Sequence, residues 1–340
     1  MPTIMELFTQ NEVLSYVRDR EYKPLLGETL FPERKQPSLK LDQLSGGSRI
    51  PIAASIHDFD TEAEIGSRIA NKQELELSLI KRKIQLKETD IIALENPRTP
   101  AEQAYLVGQV YNDIDSLVQG VRARVEAMRM EVLASGQVTV KENGLNFTLD
   151  YHVPTEHKEA LTGTNVWTNE NSDPLADIER WIDALDTKPT RALTSRKIYR
   201  ALATHPKIIA AIFGKDSGRV VSQADLDAFM ETHSYPVIRT YDEKYKVQQA
   251  DGTYTTKKYF PENKFAMFND ELLGETLYGP TAEETRLTRD PAVDTTLVSN
   301  VLASVYDETR DPVGTWTKAV ATALPSFAAA DEVFQAQPIA

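Results

Sequence analysis

The chain has 340 residues, 41% of them hydrophobic and 26% charged, and its 51 acidic and 38 basic side chains leave a net charge of −13 with no cysteine present. That composition suits a globular chain long enough for a sizeable core, read as two subdomains plus extensions. Disulfides and thiolate metal sites are excluded, a reducing cytoplasm is a comfortable home, and the acidity argues against a dedicated nucleic-acid-binding protein while leaving room for weak contact through a local basic patch.

Met1 to Gln10 carries Glu6 and lacks a basic run before an apolar core, so no signal peptide is expected. Residues 1–50 read as an arm poor in regular structure, with a short helix over Glu12 to Arg20. Pro24, Pro32, Pro37 and Gly46-Gly47 punctuate it. Leu25, Leu26, Leu30 and Phe31 are too many apolar residues for an idle linker; they need a surface, which a neighbouring subunit could supply. Residues 51–97 read as a long two-stranded loop. Leu75, Leu77 and Leu79 alternate with polar neighbours there, the period of a strand. Two readings fit Lys81-Arg82-Lys83: a phosphate contact, or the commoner solvated run balanced by acidic neighbours.

Thr99 to Ser135 is the most informative stretch. Ala104, Val107, Tyr111, Ile114, Val118, Val121, Val125, Met128 and Val132 fall three and four residues apart and predict one long helix, roughly 50 Å at about 1.5 Å per residue. Thr99 with Glu102 suggests a capping box, Pro100 suits the first helical position, and Ser135-Gly136 supplies the stop. Such a strut suggests a building block more than a catalyst. Gln137 to Tyr151 reads as a hairpin turning at Asn143-Gly144. Residues 173–234 read as helical, with starts at Asp173-Pro174, at Thr194 or Ser195, at Pro206 and at Ser222. A second hairpin turns at Asp251-Gly252, and Phe265 to Phe268 forms a short apolar strand. Leu297 to Tyr306 alternates as a strand, and Leu324 to Phe327 is extended. Together these give an α+β chain with one very long helix.

Catalytic patterns are not found. Neither phosphate-loop pattern, no G-x-S-x-G and no H-E-x-x-H occurs, so no catalytic, cofactor-binding or metal residue is assigned. His152 and His157 flank Pro154 rather than sharing a helical face, and Asp58 and Asp60 fit a polar turn or alternating strand. Trp167 and Trp181 read as core anchors and Trp316 as an interface residue. The longest apolar run near a helix, Ile208 to Phe213, is too short to cross a membrane.

The order of these segments resembles the lambda-type major capsid proteins of tailed phages. Leu26-Gly27-Glu28-Thr29-Leu30-Phe31-Pro32 resembles that family's "L-x-x-x-x-F-P" segment. Pro51-Ile52-Ala53 through Phe59-Asp60 and Arg68 resembles the lead-in to its long loop, and Asp173 to Ile178 the helix opening its central domain. Asp311-Pro312 through Ala323-Leu324-Pro325-Ser326-Phe327 resembles its closing segment. The likeness covers almost the whole chain; each motif is weak and their order carries the weight. It implies a Hong Kong ninety-seven-type fold, with an N-terminal arm at 1–50 and an extended loop at 51–97. A peripheral domain would span 98–172 and 286–340 around a spine helix at 99–135, and an axial domain 173–285.

Function then lies in interfaces. The resemblance implies a major capsid protein whose pentamers and hexamers close into an icosahedral head shell around double-stranded DNA, touched without sequence specificity. The partners implied are further copies of the chain, a portal, a decoration protein and a separate scaffolding protein, because only Met1 to Glu21 precede Tyr22. The chain would assemble in the host bacterial cytoplasm and reside in the virion. The inter-subunit contact candidates are Leu25, Leu30, Phe31, Leu75, Leu77, Leu79 and Trp316, and on this reading Leu30→Asp leaves the fold intact and blocks shell formation. Lys81, Lys83 and Lys87 lie in the loop, where relatives of this fold cross-link through Lys and Asn, but their presence establishes no bond. Rival readings are an encapsulin-like compartment shell carrying cargo enzymes, a soluble hydrolase, and a coiled-coil scaffold dimer.

Overall fold

A computed structural model describes residues 4–45, 71–142, 144–215, 217–249, 251–308 and 314–340. Its elements begin with α1 (Ile4–Leu7), α2 (Gln10–Asp19), α3 (Leu26–Leu30), β1 (Glu33–Lys35) and β2 (Lys40–Ser45). Then come β3 (Asn71–Glu76), β4 (Ser78–Gln85), α4 (Glu88–Glu95), the long α5 (Pro100–Ser135), β5 (Gln137–Glu142), β6 (Leu145–Asp150) and β7 (Lys158–Ala160). The middle holds α6 (Pro174–Asp183), β8 (Arg191–Thr194), α7 (Arg196–Ala203), α8 (Pro206–Phe213), α9 (Gln223–Thr232), β9 (Val237–Thr240), β10 (Lys244–Gln248) and β11 (Tyr254–Lys258). Last are β12 (Phe265–Phe268), β13 (Thr276–Gly279), α10 (Ala282–Leu287), β14 (Leu302–Glu308), β15 (Gly314–Pro325) and β16 (Phe334–Gln337). The expectations at Pro51 to Arg68, including Asp58 and Asp60, and at Asp311-Pro312 and Asn143 lie outside the described residues.

The chain divides into two compact units. The first comprises Met1–Leu41, Glu76–Glu126 and Thr276–Ser326, and the second Asp42–Leu75, Ala127–Glu275 and Phe327–Ala340. In the first unit the twelve-residue β15 organises a five-stranded sheet. One edge of β15 pairs antiparallel with β14 and then β13, and β1 adds in parallel to β13. Its other edge pairs with β4, register Trp316↔Gln85 to Ala323↔Ser78. Ala319, Ala321 and Ala323 alternate along β15 and are fully buried, as the pleat requires of one covered face. The stretch Glu74 to Ile84 is therefore two strands, not one. β3 pairs with β2, and β4 begins a new pairing after Leu77, whose N–H donates to the Leu39 carbonyl.

Helix α5 spans nearly the predicted range. The stripe is buried from Ile114 onward, whereas Ala104 and Tyr105 are exposed and Val107 and Tyr111 half-buried. Periodicity tells which face is apolar; it does not tell how much of the rod has something to cover it. At the start, the Glu102 N–H donates to Thr99 Oγ1, but the Glu102 carboxylate accepts from the Arg98 N–H instead of closing the expected box.

The other end is more tightly determined. Gly136 sits at φ +70 and its N–H returns to the Val132 carbonyl, a left-handed helix stop. Gln335, on β16, donates through Nε2 to the Val132 and Leu133 carbonyls at 3.0 and 2.9 Å, supplying partners that the helix end lacks. A Cβ at Gly136 would come within 2.6 Å of Val153 Cγ2. Gly136→Ala is therefore expected to cost about 2–3 kcal/mol, backbone strain plus overpacking. Gly163, at φ +62 with nothing near its missing Cβ, should lose only about 1 kcal/mol as Gly163→Ala. Urea unfolding of both variants separates crowding from strain; equal losses would show that Val153 yields freely.

The second unit is built on the sheet β7-β16-β12-β8-β9. β8 and β9 are parallel, so the chain between them must cross over, and α7, α8 and α9 make that crossover. Local chemistry sets the helix starts as read: Asp173 and Pro174 for α6, Ser195 for α7, His205 with Pro206 for α8, and a Ser222–Asp225 capping box for α9. The core joins Ile178, Ile198, Leu202, Leu226, Met230, Ile238 and Met267 to an aromatic stack. Trp181 lies 5.4 Å from both Trp167 and Phe334 and 5.9 Å from Phe265. Two hairpins complete this unit, β5–β6 and β10–β11. Tyr241 and Tyr245 both stack on Tyr259 at the base of the second.

Candidate assembly surfaces

The apolar arm finds its surface within its own unit. Three positions of α5, Asp115, Arg122 and Glu126, lie seven and four residues apart on one side of the helix. The Asp115 carboxylate accepts from the Tyr16 and Tyr22 hydroxyls at 2.8 and 3.0 Å and pairs with Arg20 at 3.3 Å. Burial, then this carboxylate, pushes both tyrosine hydroxyls above their ordinary range. Arg122 binds Glu28 at 2.6 Å, and the Gly27 N–H donates to the buried Glu126 carboxylate at 2.9 Å. Below these ties Leu30 and Phe31 turn inward and are fully buried, and Thr276 donates to the Phe31 carbonyl and, through its N–H, to that of Pro32. The expectation that Leu30 and Phe31 wait for a neighbour is corrected: their own unit buries them. Leu25 is half-buried.

Leu75 and Leu77 are also buried within the chain. Leu77 packs where Gly279 has no side chain: a Cβ there would come within 2.6 Å of Leu77 Cδ1. Leu79 differs. It stands 55% exposed at the head of a row on β4 with Lys81 and Lys83. The pleat turns Arg82 the other way, against Gly120 of α5. The register carries the lysine end of this row onto β15: Lys318 lies opposite Lys83, and Trp316 lies between Gln85 and Tyr306, whereas Val320, opposite Lys81, is buried. The Lys83 ammonium sits 3.7 Å over the Trp316 ring. Lys318 pairs with Glu283 at 2.6 Å. Burial alone would raise the Glu283 carboxyl; the Lys318 ammonium outweighs it and draws it below the usual range. Of the sequence candidates, then, the sheet brings Leu79 and Trp316 to one surface. Sequence reasoning missed Tyr306 and Lys318, which the strand register brings beside them, and Glu283, which α10 holds against Lys318.

The sequence matches the family model described as phage major capsid protein E over residues 9–337. The chain belongs to this family. No curated protein sequence matches it. Among solved structures, the putative capsid protein of a prophage of E. coli CFT073 is similar in fold. It has a TM-score of 0.63 at 15% identity, covering 97% of this chain and 99% of that one. A phage-related protein from Bordetella bronchiseptica RB50 has a TM-score of 0.57 at 14% identity, with 97% and 98% covered. The α+β architecture with its long helix is thus that of the phage major capsid fold. This major capsid protein is a virion component, the subunit of a shell assembled from many copies of it.

One buried pair in the capsid protein carries the atoms of a nucleophile and its base without their arrangement. Ser172 Oγ lies 3.1 Å from His205 Nε2. His205 Nδ1 accepts from the Lys207 N–H, which puts the ring proton on Nε2, facing the Asn169 carbonyl at 3.1 Å. A protonated Nε2 cannot take the Ser172 proton, and Ser172 itself donates to that same carbonyl. The pair fastens the start of α8 to the loop that precedes α6. Among the described residues no group of three His, Cys, Asp or Glu could hold a metal ion, and no helix is long and apolar enough to cross a membrane.

Proposed function

We propose that this subunit forms the pentamers and hexamers of an icosahedral phage head that encloses double-stranded DNA. The family match over residues 9–337 carries the proposal. In this reading the domain boundaries are those given above: arm at 1–50, loop at 51–97, peripheral domain at 98–172 and 286–340, axial domain at 173–285. The subunit performs no catalysis; its work is binding itself. Identical subunits reach a closed shell only by repeating heterologous contacts around several axes, which needs more than one contact surface per chain. Leu25, Leu79 and Trp316, left at least partly exposed, are the remaining contact candidates. Contact with DNA is electrostatic and indifferent to sequence, made by local basic patches in spite of the overall charge of −13. Assembly takes place in the host bacterial cytoplasm, with a separate scaffolding protein, a portal and a decoration protein as partners.

Negative-stain electron microscopy and mass photometry of the purified chain test this. Shells, tubes or rings of five and six support it. A monomer that stays monomeric even with the scaffolding protein added, or shells that hold a host enzyme and exclude DNA, would overturn it.

A further inference from the structure

Two exposed stripes of opposite charge lie on consecutive elements of the first unit. On β4 the stripe is Leu79, Lys81 and Lys83, backed by Trp316. Among the described residues Lys81 and Lys83 make no ion pair. β4 is an edge strand, bonded to β15 and to no other described strand. Three consecutive cations on an edge discourage indiscriminate strand addition, and the two that share a face, Lys81 and Lys83, attract an acidic surface. They also stand out in a chain carrying −13. Trp316, half-buried and steadied by the Lys83 ammonium, is the kind of aromatic anchor around which protein interfaces concentrate their energy.

On α4 the complementary stripe is Glu88, Ile92 and Glu95. Spacings of four and three put them on one helical face, and all three are exposed, Ile92 at 63%. The apolar residues of α4 are not confined to one side, so burying Leu94 turns Ile92 out to solvent. Neither Glu88 nor Glu95 makes an ion pair among the described residues. Glu88 to Glu95 spans about 10 Å along a helix, and Leu79 to Lys83 about 13 Å along a strand. Both stripes set carboxylates or ammoniums beside an apolar side chain, over matching lengths.

We propose that Leu79, Lys81, Lys83 and Trp316 of one subunit receive the Glu88–Ile92–Glu95 stripe of α4 from a second copy of this chain. The contact is head-to-tail, so each copy offers both halves and the contact repeats, as shell growth demands. The proposal rests on the shell reading and names one of its interfaces. Phosphates of packaged DNA could meet the same cations, but they would leave exposed Leu79 without a partner and give Ile92 no role.

Charge reversal tests it. K81E/K83E and E88K/E95K are each expected to cut particle yield at least tenfold, while circular dichroism stays that of the parent because all four positions are exposed, and thermal unfolding of K81E/K83E falls only by the small share that the Lys83–Trp316 contact supplies. The chain carrying all four reversals is expected to regain assembly, since the contact is then rebuilt with its signs exchanged. Single K81E, which spares the Lys83–Trp316 contact, is the milder variant and should slow assembly in the same direction. Parent assembly should also slow as salt is raised. Failure of the fourfold variant to recover, or normal particles from K81E/K83E that only retain less DNA, would overturn the contact and leave the shell reading standing. A parent chain that forms no particles with or without its scaffolding protein would overturn both.

Discussion

Leu30→Asp is expected to unfold the first unit rather than to block assembly of a folded subunit. Leu30 is 2% exposed, at the end of a helix whose own ties to α5 hold it in place. A carboxylate there exchanges water for the protein interior, on top of the packing lost with the leucine. The expected loss is at least about 4 kcal/mol near neutral pH, comparable to breaking a buried ion pair. Its pH dependence has a definite sign. Burial raises the folded-state pKa of the new carboxyl above the unfolded value of about 4. The protonated form is the better tolerated, so the variant is least damaged below that value and loses stability as pH rises through the folded-state pKa. Urea midpoints at pH 4 and pH 7, with Leu30→Ala as the size control, check this. A variant with the parental midpoint that fails only to form particles would return Leu30 to the inter-subunit contacts.

Trp181→Ala is expected to cost the second unit about 3–5 kcal/mol, the range for emptying a large aromatic site. Trp181 is 1% exposed and stacks on Trp167 and Phe334, with Phe265 at its edge. Its indole N–H donates to Glu159, which also accepts from Arg180 at 3.0 and 2.8 Å. Truncation leaves a void among three rings and strips that carboxylate of its buried donor. Trp181→Phe keeps most of the stacking and loses the donor, so it should recover more than half of the loss. Thermal unfolding followed by near-ultraviolet circular dichroism reads both variants. A loss under 1 kcal/mol for the alanine variant would mean that the cluster collapses into the space.

The elements that a sequence shows well are those whose cause is local. Helix α5 is visible because its period is unbroken from Val107 to Val132, and the β10–β11 hairpin because Asp251-Gly252 sits between alternating strands. Ser222 and Asp173 announce helices for the same reason. What remained hidden has long-range causes. β8 is four residues inside a helical stretch, and only its pairing with β12 and β9 makes it a strand. Leu30 and Phe31 read as unpartnered because the residues that tie down their arm, Asp115 and Glu126, are polar positions of a distant helix. Leu79 is exposed and Trp316 half-buried, and the face they share, with Tyr306 and Lys318 on it, depends on a register between strands more than two hundred residues apart.

The place of β15 and β16 in the two sheets has a consequence for how the protein is made. β15 is the strand on which β4, β13 and β14 all pair, and β16 joins β7 to β12 while its Gln335 finishes the end of α5. Residues 314–325 must therefore leave the ribosome before the first sheet can close, and residues 334–337 before the second. Contacts this distant in sequence close slowly. Until they form, Lys318 and Trp316 do not lie beside Lys83, and the surface built from them does not exist. Nascent chains on one message, held close together at high local concentration, thus lack the contact face proposed above until synthesis has passed the segment that creates it. On that proposal, chain order is a timer that keeps polymerisation behind translation.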